Sequence, residues 1–181
     1  MGVGRTRQQL EELLKLFHAS GESLGQFLPV AAAEMPAEYR CLLDHQEHMT
    51  VAVEAFHESL VSVQVLDTHV TPAHYARQIL LRRQTDGAVV QYGIMRVALD
   101  CFSPEVRGEI ETQRRPLGRI LVRHNVLRTI QVHGLWQVQP GPELCRFFDL
   151  DPPQITYGRT AGIDLDRTSA VEVLEIVAPI T

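Results

Sequence analysis

Arg77 and Glu175 are charged residues in two segments, 75–82 and 170–177, whose other residues predict buried β-strands. If the strand faces that carry them form the core, each buried charge needs a partner or a ligand. An arginine binds a carboxylate through two parallel N–H groups, and a glutamate accepts a hydrogen bond or a proton. We therefore expect the two residues to meet, directly or through a small bound acid. The alternative for Glu175 is a solvent-facing position.

A second candidate for anion binding is the stretch Arg115-Pro116-Leu117-Gly118-Arg119. Proline has a fixed φ and no N–H, so it suits the start of a helix, and the N–H groups of the following first turn have no intrahelical partner. Glycine lets another group approach the backbone closely. A helix start of this kind between two arginines suits a small carboxylate. The alternative is a capped surface helix.

Length and composition limit the class of protein. The 181 residues favour one domain, and 45% hydrophobic with 22% charged residues is typical of a soluble globular protein. A formal net charge of -5 argues against general nucleic-acid binding. No apolar run predicts a membrane span, and no signal peptide is evident. Cys41, Cys101 and Cys145 form no CxxC pair, which predicts reduced, mostly buried thiols in a cytoplasmic protein.

The hydrophobic pattern predicts the elements that position these residues. Helices are expected at 6–19, 36–45 and 103–112, with shorter helices at 116–121 and 144–148 and a connection at 21–36. Strands are expected at 61–66, 75–82, 89–99, 127–136, 155–163 and 170–177. Asp86-Gly87 and residues 164–167 are predicted to form hairpin turns. Hairpins with helices grouped around them indicate an α+β domain with an antiparallel sheet.

Several stretches together resemble the chorismate pyruvate-lyase family, whose members make 4-hydroxybenzoate. Leu42–Thr50 followed by Glu54 is similar to LL-x5-MT-x3-E, Tyr75–Leu81 to the arginine-bearing strand, Pro116–Leu121 with Leu127 and Arg128 to PLGRxL and a downstream LxR, and Val173–Pro179 to a TELFLP-like end. Their order and rough spacing agree over residues 36–179. The resemblance implies one domain over 1–181, in which 1–35 form an N-terminal helix and connection before the family-like core.

The resemblance also implies a fold and a binding mode. The fold is α+β: a single antiparallel β-sheet with helices packed on it, and helical flaps that enclose an internal ligand cavity. In that cavity Met49 and Leu117, through main-chain N–H groups, and Arg77, through its guanidinium, would hold the carboxylate of 4-hydroxybenzoate. Glu175 would take its hydroxyl group or relay the ring proton, so Arg77 and Glu175 are the predicted catalytic residues.

Chorismate carries a second, enolpyruvyl carboxylate, which either Arg128 or Arg119 could hold. Loss of pyruvate makes the ring aromatic, so this reaction needs orientation, exclusion of water and one proton transfer, and no cofactor or metal. The sequence departs from the family at Ile94, where bacterial relatives tend to have a polar residue that Arg96 could replace. It departs also at Leu174 and in a longer segment, 141–153.

Three functions remain open from the sequence. The first is a cytoplasmic chorismate pyruvate-lyase, a monomer or small homo-oligomer without a nucleic-acid or membrane partner. The second is a non-catalytic module on the same fold that binds a small aromatic acid, as sensor domains of some bacterial transcription regulators do. Against it, only 35 residues precede Pro36, too few for a winged-helix domain. The third is a lyase for a related chorismate-derived acid. His45 and His48, spaced i and i+3, have no third ligand nearby, and no metal site is expected.

Overall fold

A seven-stranded antiparallel sheet forms the centre of the protein. The structure is a computed structural model and describes residues 2–19 and 21–180. Its strands are β1 (Gly25–Pro29), β2 (Val61–Val70), β3 (Tyr75–Arg83), β4 (Val89–Val97), β5 (Thr129–Pro140), β6 (Thr156–Leu165) and β7 (Thr168–Val177). They lie in the order β1-β5-β6-β7-β4-β3-β2, and every neighbouring pair is antiparallel.

In the described part of the chain, six α-helices cover the two faces of this sheet. They are α1 (Gly2–Leu14), α2 (Ala37–Leu43), α3 (Met49–Phe56), α4 (Pro104–Glu111), α5 (Leu117–Arg123) and α6 (Pro142–Phe148). Helices α1 and α6 pack on one face, around the buried Tyr92 and Trp136. Helices α2 to α5 pack on the other face in two apolar clusters, one that includes Ile120 of α5 and one that includes Leu43 of α2. The result is a three-layer arrangement with the sheet in the middle.

Strand register decides which residues face each layer. Arg77 pairs with Met95 in β4, and Met95 pairs with Val173 in β7. Side chains alternate along a strand, so Arg77, Met95, Val173 and the residues two positions before and after each of them share the face covered by α2 to α5. Glu175 lies on this face, two residues beyond Val173. Both charged residues singled out in the sequence therefore project toward the same layer of helices.

The predicted fold class is confirmed: the protein is α+β with one antiparallel sheet. Strand β1 was missed and lies where the sequence suggested only a connection; it is a five-residue edge strand with no regular alternation of polar and apolar residues. The last hairpin turns at Asp166 and Arg167, which both have positive φ, as a two-residue turn between twisted strands requires. The cysteines are less buried than predicted, with Cys41 exposed. Within residues 2–19 and 21–180, no helix combines the length and apolar character needed to cross a membrane.

Candidate ligand-binding site

An internal cavity lies between the sheet and the first residues of α3 and α5. Its sheet side includes Arg77, Gln91, Gly93, Arg159 and Glu175, and its helix side is formed by residues 48–50 and 116–118. The cavity volume is about 50 Å³. A cavity of about 150 Å³ holds a benzene ring. A ring-sized ligand therefore requires the side chains around the cavity to move outward.

Arg77 is the most unusual residue of this cavity, because its guanidinium is fully buried with most of its donors unused. Its Nη2 donates to the carbonyl oxygen of Arg115 at 3.1 Å. Its Nε and Nη1 have no hydrogen-bond partner among the described residues, and neither does the nearby hydroxyl group of Tyr75. Burial lowers the pKa of Arg77 from its ordinary value, but a guanidinium stays protonated in proteins. Arg77 is thus a buried cation without a counter-charge among residues 2–19 and 21–180.

Glu175 has a different partner from the one expected. The sequence suggested a direct contact with Arg77, and this is wrong, because Arg159 of β6 lies opposite Glu175 in the sheet and its Nε donates to Glu175 Oε2 at 2.8 Å. Arg159 is only 2% exposed. The buried Arg159 and the partly buried Glu175 form an ion pair whose charges cancel. A ligand that bridges Arg77 and Glu175 stays a prediction.

The remaining donors of Arg159 fix the connection between α2 and α3. Its Nη1 donates to the carbonyl oxygens of Leu43 at 3.2 Å and His45 at 3.0 Å, and its Nη2 donates to that of Glu47 at 3.2 Å. One buried guanidinium therefore joins the floor of the cavity to the segment that precedes Met49.

The two predicted main-chain donors are both at the cavity. Met49 and Leu117 are the first residues of α3 and α5, where N–H groups have no intrahelical acceptor. Gly118 allows the two helix starts to approach, since a Cβ there would lie 3.0 Å from the side chains of His48 and Thr50. The close approach predicted for this glycine is thereby confirmed. Whether these N–H groups bind a ligand remains a prediction.

The other arginines proposed from the sequence do not line the cavity. Arg119 pairs with Glu54, and Arg128 donates to His48 Nε2 and to the carbonyl oxygen of Val126 at 2.7 Å. Arg96 could not replace a polar residue in the cavity, because it lies on the opposite face of the sheet and pairs with Glu172. These positions leave Arg77 as the cavity cation that has free donors among the described residues.

His48 lies at the edge of the cavity and of an outer groove that also contains Arg128. Burial, reinforced by the positive charges of Arg128 and Arg159, lowers the pKa of His48 to about 4. The imidazole is therefore neutral at physiological pH and accepts the hydrogen bond from Arg128. His45 bonds the Leu42 carbonyl oxygen instead. Within the described residues, no group of histidine, cysteine, aspartate and glutamate side chains could hold a metal ion.

Two polar residues of the cavity were missed in the sequence. Arg159 and Gln91 each stand in a strand, but a single polar residue there is usually solvent-facing. A signal for Arg159 was its position among the small and apolar residues of 156–163. Gln91 is 2% exposed, and its Oε1 accepts no hydrogen bond within the described part of the chain.

Comparison with known proteins gives distant structural likenesses. No protein-family model matches the chain, and no curated protein matches it significantly. The possible transcriptional regulator YydK from Bacillus subtilis is 12% identical, with 93% of this chain and 82% of that chain covered and a TM-score of 0.49. PhnF from Mycobacterium smegmatis is 13% identical over 96% of this chain and 94% of its own, with a TM-score of 0.47. The C-terminal domain of the histidine utilization repressor from Pseudomonas syringae is 10% identical, with 65% of this chain and 91% of that chain covered and a TM-score of 0.45.

Proposed function

We propose that this protein binds a small, largely apolar monocarboxylate in the internal cavity, as a binding module without catalytic chemistry. The observation that carries the proposal is the Arg77 guanidinium, buried at the cavity with Nε and Nη1 unpaired. Burial of an unpaired ion in a protein interior lowers the free energy of unfolding by several kcal/mol, because the ion loses its hydration. A carboxylate supplies both the missing acceptors and the missing counter-charge.

Charge balance favours an acid with one negative charge. The charges of Arg159 and Glu175 cancel, so Arg77 leaves the cavity with one uncompensated positive charge. One carboxylate neutralises it. A dianion such as chorismate would bring a second negative charge into a buried space, and Arg119 and Arg128 are engaged outside it. The apolar lining, which includes Ile79, suits a ring or a branched hydrocarbon.

The roles of the lining residues follow from this arrangement. The Arg77 guanidinium holds the carboxylate, with the N–H groups of Met49 and Leu117 as additional donors. Glu175, held by Arg159, accepts a hydrogen bond from the other end of the ligand. Binding is accompanied by outward movement of side chains, because the cavity of about 50 Å³ is smaller than a benzene ring requires.

The second candidate is a chorismate pyruvate-lyase, or a lyase for a related acid, and Glu175 is the observation that favours it. A carboxylate in the cavity can take the ring proton while the ether bond between the ring carbon and the enolpyruvyl oxygen breaks. The leaving enolpyruvate takes up that proton at its methylene carbon and becomes pyruvate, and the ring becomes an aromatic hydroxy acid. The reaction is balanced without a cofactor. It would require Arg128 to leave His48 and turn inward to hold the second carboxylate.

One pair of measurements separates the two functions. Isothermal titration with benzoate and 4-hydroxybenzoate measures binding, and lactate dehydrogenase with NADH detects pyruvate released from chorismate. We expect binding of at least one acid and no pyruvate above the rate without protein. Pyruvate release that is lost in Glu175→Gln, a substitution that removes the base, would establish the lyase instead. Failure of every monocarboxylate to bind, with the protein folded, would refute the binding proposal.

A further inference from the structure

Gln91 is a buried polar side chain that the proposed binding of a carboxylate does not use. It lies on β4, on the cavity face of the sheet, opposite Leu81 of β3 and Val177 of β7. It is 2% exposed and lines the cavity, and no described residue donates to its Oε1. An amide oxygen buried without a donor is destabilising by about 1–3 kcal/mol. Gln91 therefore brings to the cavity wall an amide oxygen that has no hydrogen-bond donor among the described residues.

Glu175 provides a second acceptor beside the first. It pairs with Gly93, so Glu175 and Gln91 are diagonal neighbours on adjacent strands, at a distance that side chains reach across. Arg159 donates to Glu175 Oε2, and no described residue donates to Oε1. Gln91 and Glu175 both line the cavity, and each has one side-chain oxygen to which no described residue donates.

Gln91 lies four residues along the sheet from the level of Arg77, and Glu175 lies at the level between them. Arg77 and Leu81 are four residues apart on β3, about 13 Å along a strand, and Leu81 is the partner of Gln91. Gly93 lies between the levels of Arg77 and Gln91, where a Cβ would be 3.7 Å from Gln91 Nε2 and 3.4 Å from Ile79 Cγ1. The absence of a side chain at Gly93 keeps the middle of the cavity open.

We propose that Gln91 determines specificity: together with Glu175 it binds a neutral group with two donor hydrogens, such as a primary aromatic amine, opposite the carboxylate of the ligand. This inference rests on the proposed function and names its ligand class. A hydroxyl group has one hydrogen to donate and satisfies one of the two acceptors, whereas an amino group satisfies both. An ammonium group would add a positive charge to a cavity that one carboxylate already makes neutral.

The test compares four acids that differ at one position: benzoate, 4-methylbenzoate, 4-hydroxybenzoate and 4-aminobenzoate. In isothermal titration, the Kd of 4-aminobenzoate should be about tenfold lower than that of 4-methylbenzoate, which is the effect of roughly one net hydrogen bond. It should be a few-fold lower than the Kd of 4-hydroxybenzoate. In Gln91→Leu the affinity for 4-aminobenzoate should fall about tenfold, while the affinity for 4-methylbenzoate should be unchanged or higher. Gln131→Leu, a change of an exposed glutamine on β5, is the matched control and should leave all four values unchanged.

The outcomes distinguish this inference from the proposed function. Equal or tighter binding of 4-methylbenzoate to the unaltered protein, or an equal loss for all four acids in Gln91→Leu, overturns the role of Gln91 and leaves carboxylate binding intact. Absence of binding for all four acids overturns the proposed function, and the inference with it. Gln91→Met, which preserves the length of the side chain, replaces Gln91→Leu if thermal unfolding shows that the leucine variant is not folded.

Discussion

Replacement of Arg77 by methionine should make the free protein no less stable and abolish binding of the acid. Methionine keeps the unbranched shape of the side chain and removes the buried charge. Nε and Nη1 of Arg77 have no partner in the described structure, so their loss removes two unsatisfied donor nitrogens. The cost is one hydrogen bond to the carbonyl oxygen of Arg115, about 1 kcal/mol.

Arg77→Met should change stability and ligand affinity in opposite directions, and both changes can be estimated. An apolar residue of similar volume in place of a buried charged group is often neutral or stabilising by about 1–4 kcal/mol. After the lost hydrogen bond is subtracted, we expect a gain of roughly 0–3 kcal/mol, or up to several degrees in Tm for a chain of this size. Binding should weaken by about 3–6 kcal/mol, because two hydrogen bonds from a charged donor are worth about 1.5–3 kcal/mol each. This corresponds to an increase in Kd on the order of 10²–10⁴-fold.

Scanning calorimetry without ligand and isothermal titration with benzoate measure the two quantities. Arg82→Met is the matched control, since Arg82 lies on the same strand but donates to Gln64 and Gly87 at the surface. This control should bind the acid normally. An Arg77→Met variant that binds with unchanged affinity would refute the assignment of the carboxylate. A loss of stability greater than about 2 kcal/mol would show that Arg77 has a structural role, since removal of an unpaired buried charge should not destabilise the protein to that extent.

Three further perturbations test the surroundings of the cavity. The pKa of His48 is about 4 in the folded protein against 6.5 ordinarily, so unfolding takes up a proton between these values and stability falls as pH drops from 6.5 to 4. This loss, on the order of 3 kcal/mol, should be absent in His48→Gln when urea unfolding is followed against pH. Gly118→Ala should destabilise the protein by about 1–3 kcal/mol, because the added Cβ would lie 3.0 Å from neighbouring side chains. Gly108→Ala on α4 is the control: the position has open space, so alanine should stabilise the protein by up to about 1 kcal/mol. Equal effects of the two substitutions in thermal unfolding would contradict this prediction. Glu175→Gln should keep the contact with Arg159 but lose the counter-charge, which lowers the free energy of unfolding by about 1–3 kcal/mol in urea and leaves the affinity for 4-methylbenzoate within a few-fold.

The sequence predicted those parts of the site that a local pattern specifies. Alternation along 75–81 placed Arg77 on an apolar face, and the Pro-Leu-Gly order predicted a helix start that another segment approaches closely. The partner of Glu175 depends on which strands are neighbours and in what register, and no local pattern contains that information. Arg96 does share a strand face with Ile94, as its spacing indicated, but only the sheet and its covering helices show that this face is turned away from Arg77 and Glu175.

Strand β1 and Gln91 show a second limit. Five residues that end in Pro29 have too little alternation to be distinguished from a loop, and their pairing with β5 comes from tertiary contact. A single glutamine in a strand is far more often exposed than buried, so Gln91 became informative only after its lack of a donor was visible. Buried polar groups without partners are thus the features that structure adds to the sequence.

The hydrogen bonds of Arg159 connect the floor of the cavity with a segment at the protein surface. Its guanidinium holds Glu175 inside the protein and three carbonyl oxygens of residues 43–47, a segment whose residues 44, 46 and 47 are exposed. A ligand group that shifts Glu175 must also shift the balance of forces on this segment. Thermodynamic linkage is reciprocal. If a ligand in the cavity changes the affinity of residues 44–47 for a partner, binding of that partner changes the affinity of the cavity for the ligand by the same factor.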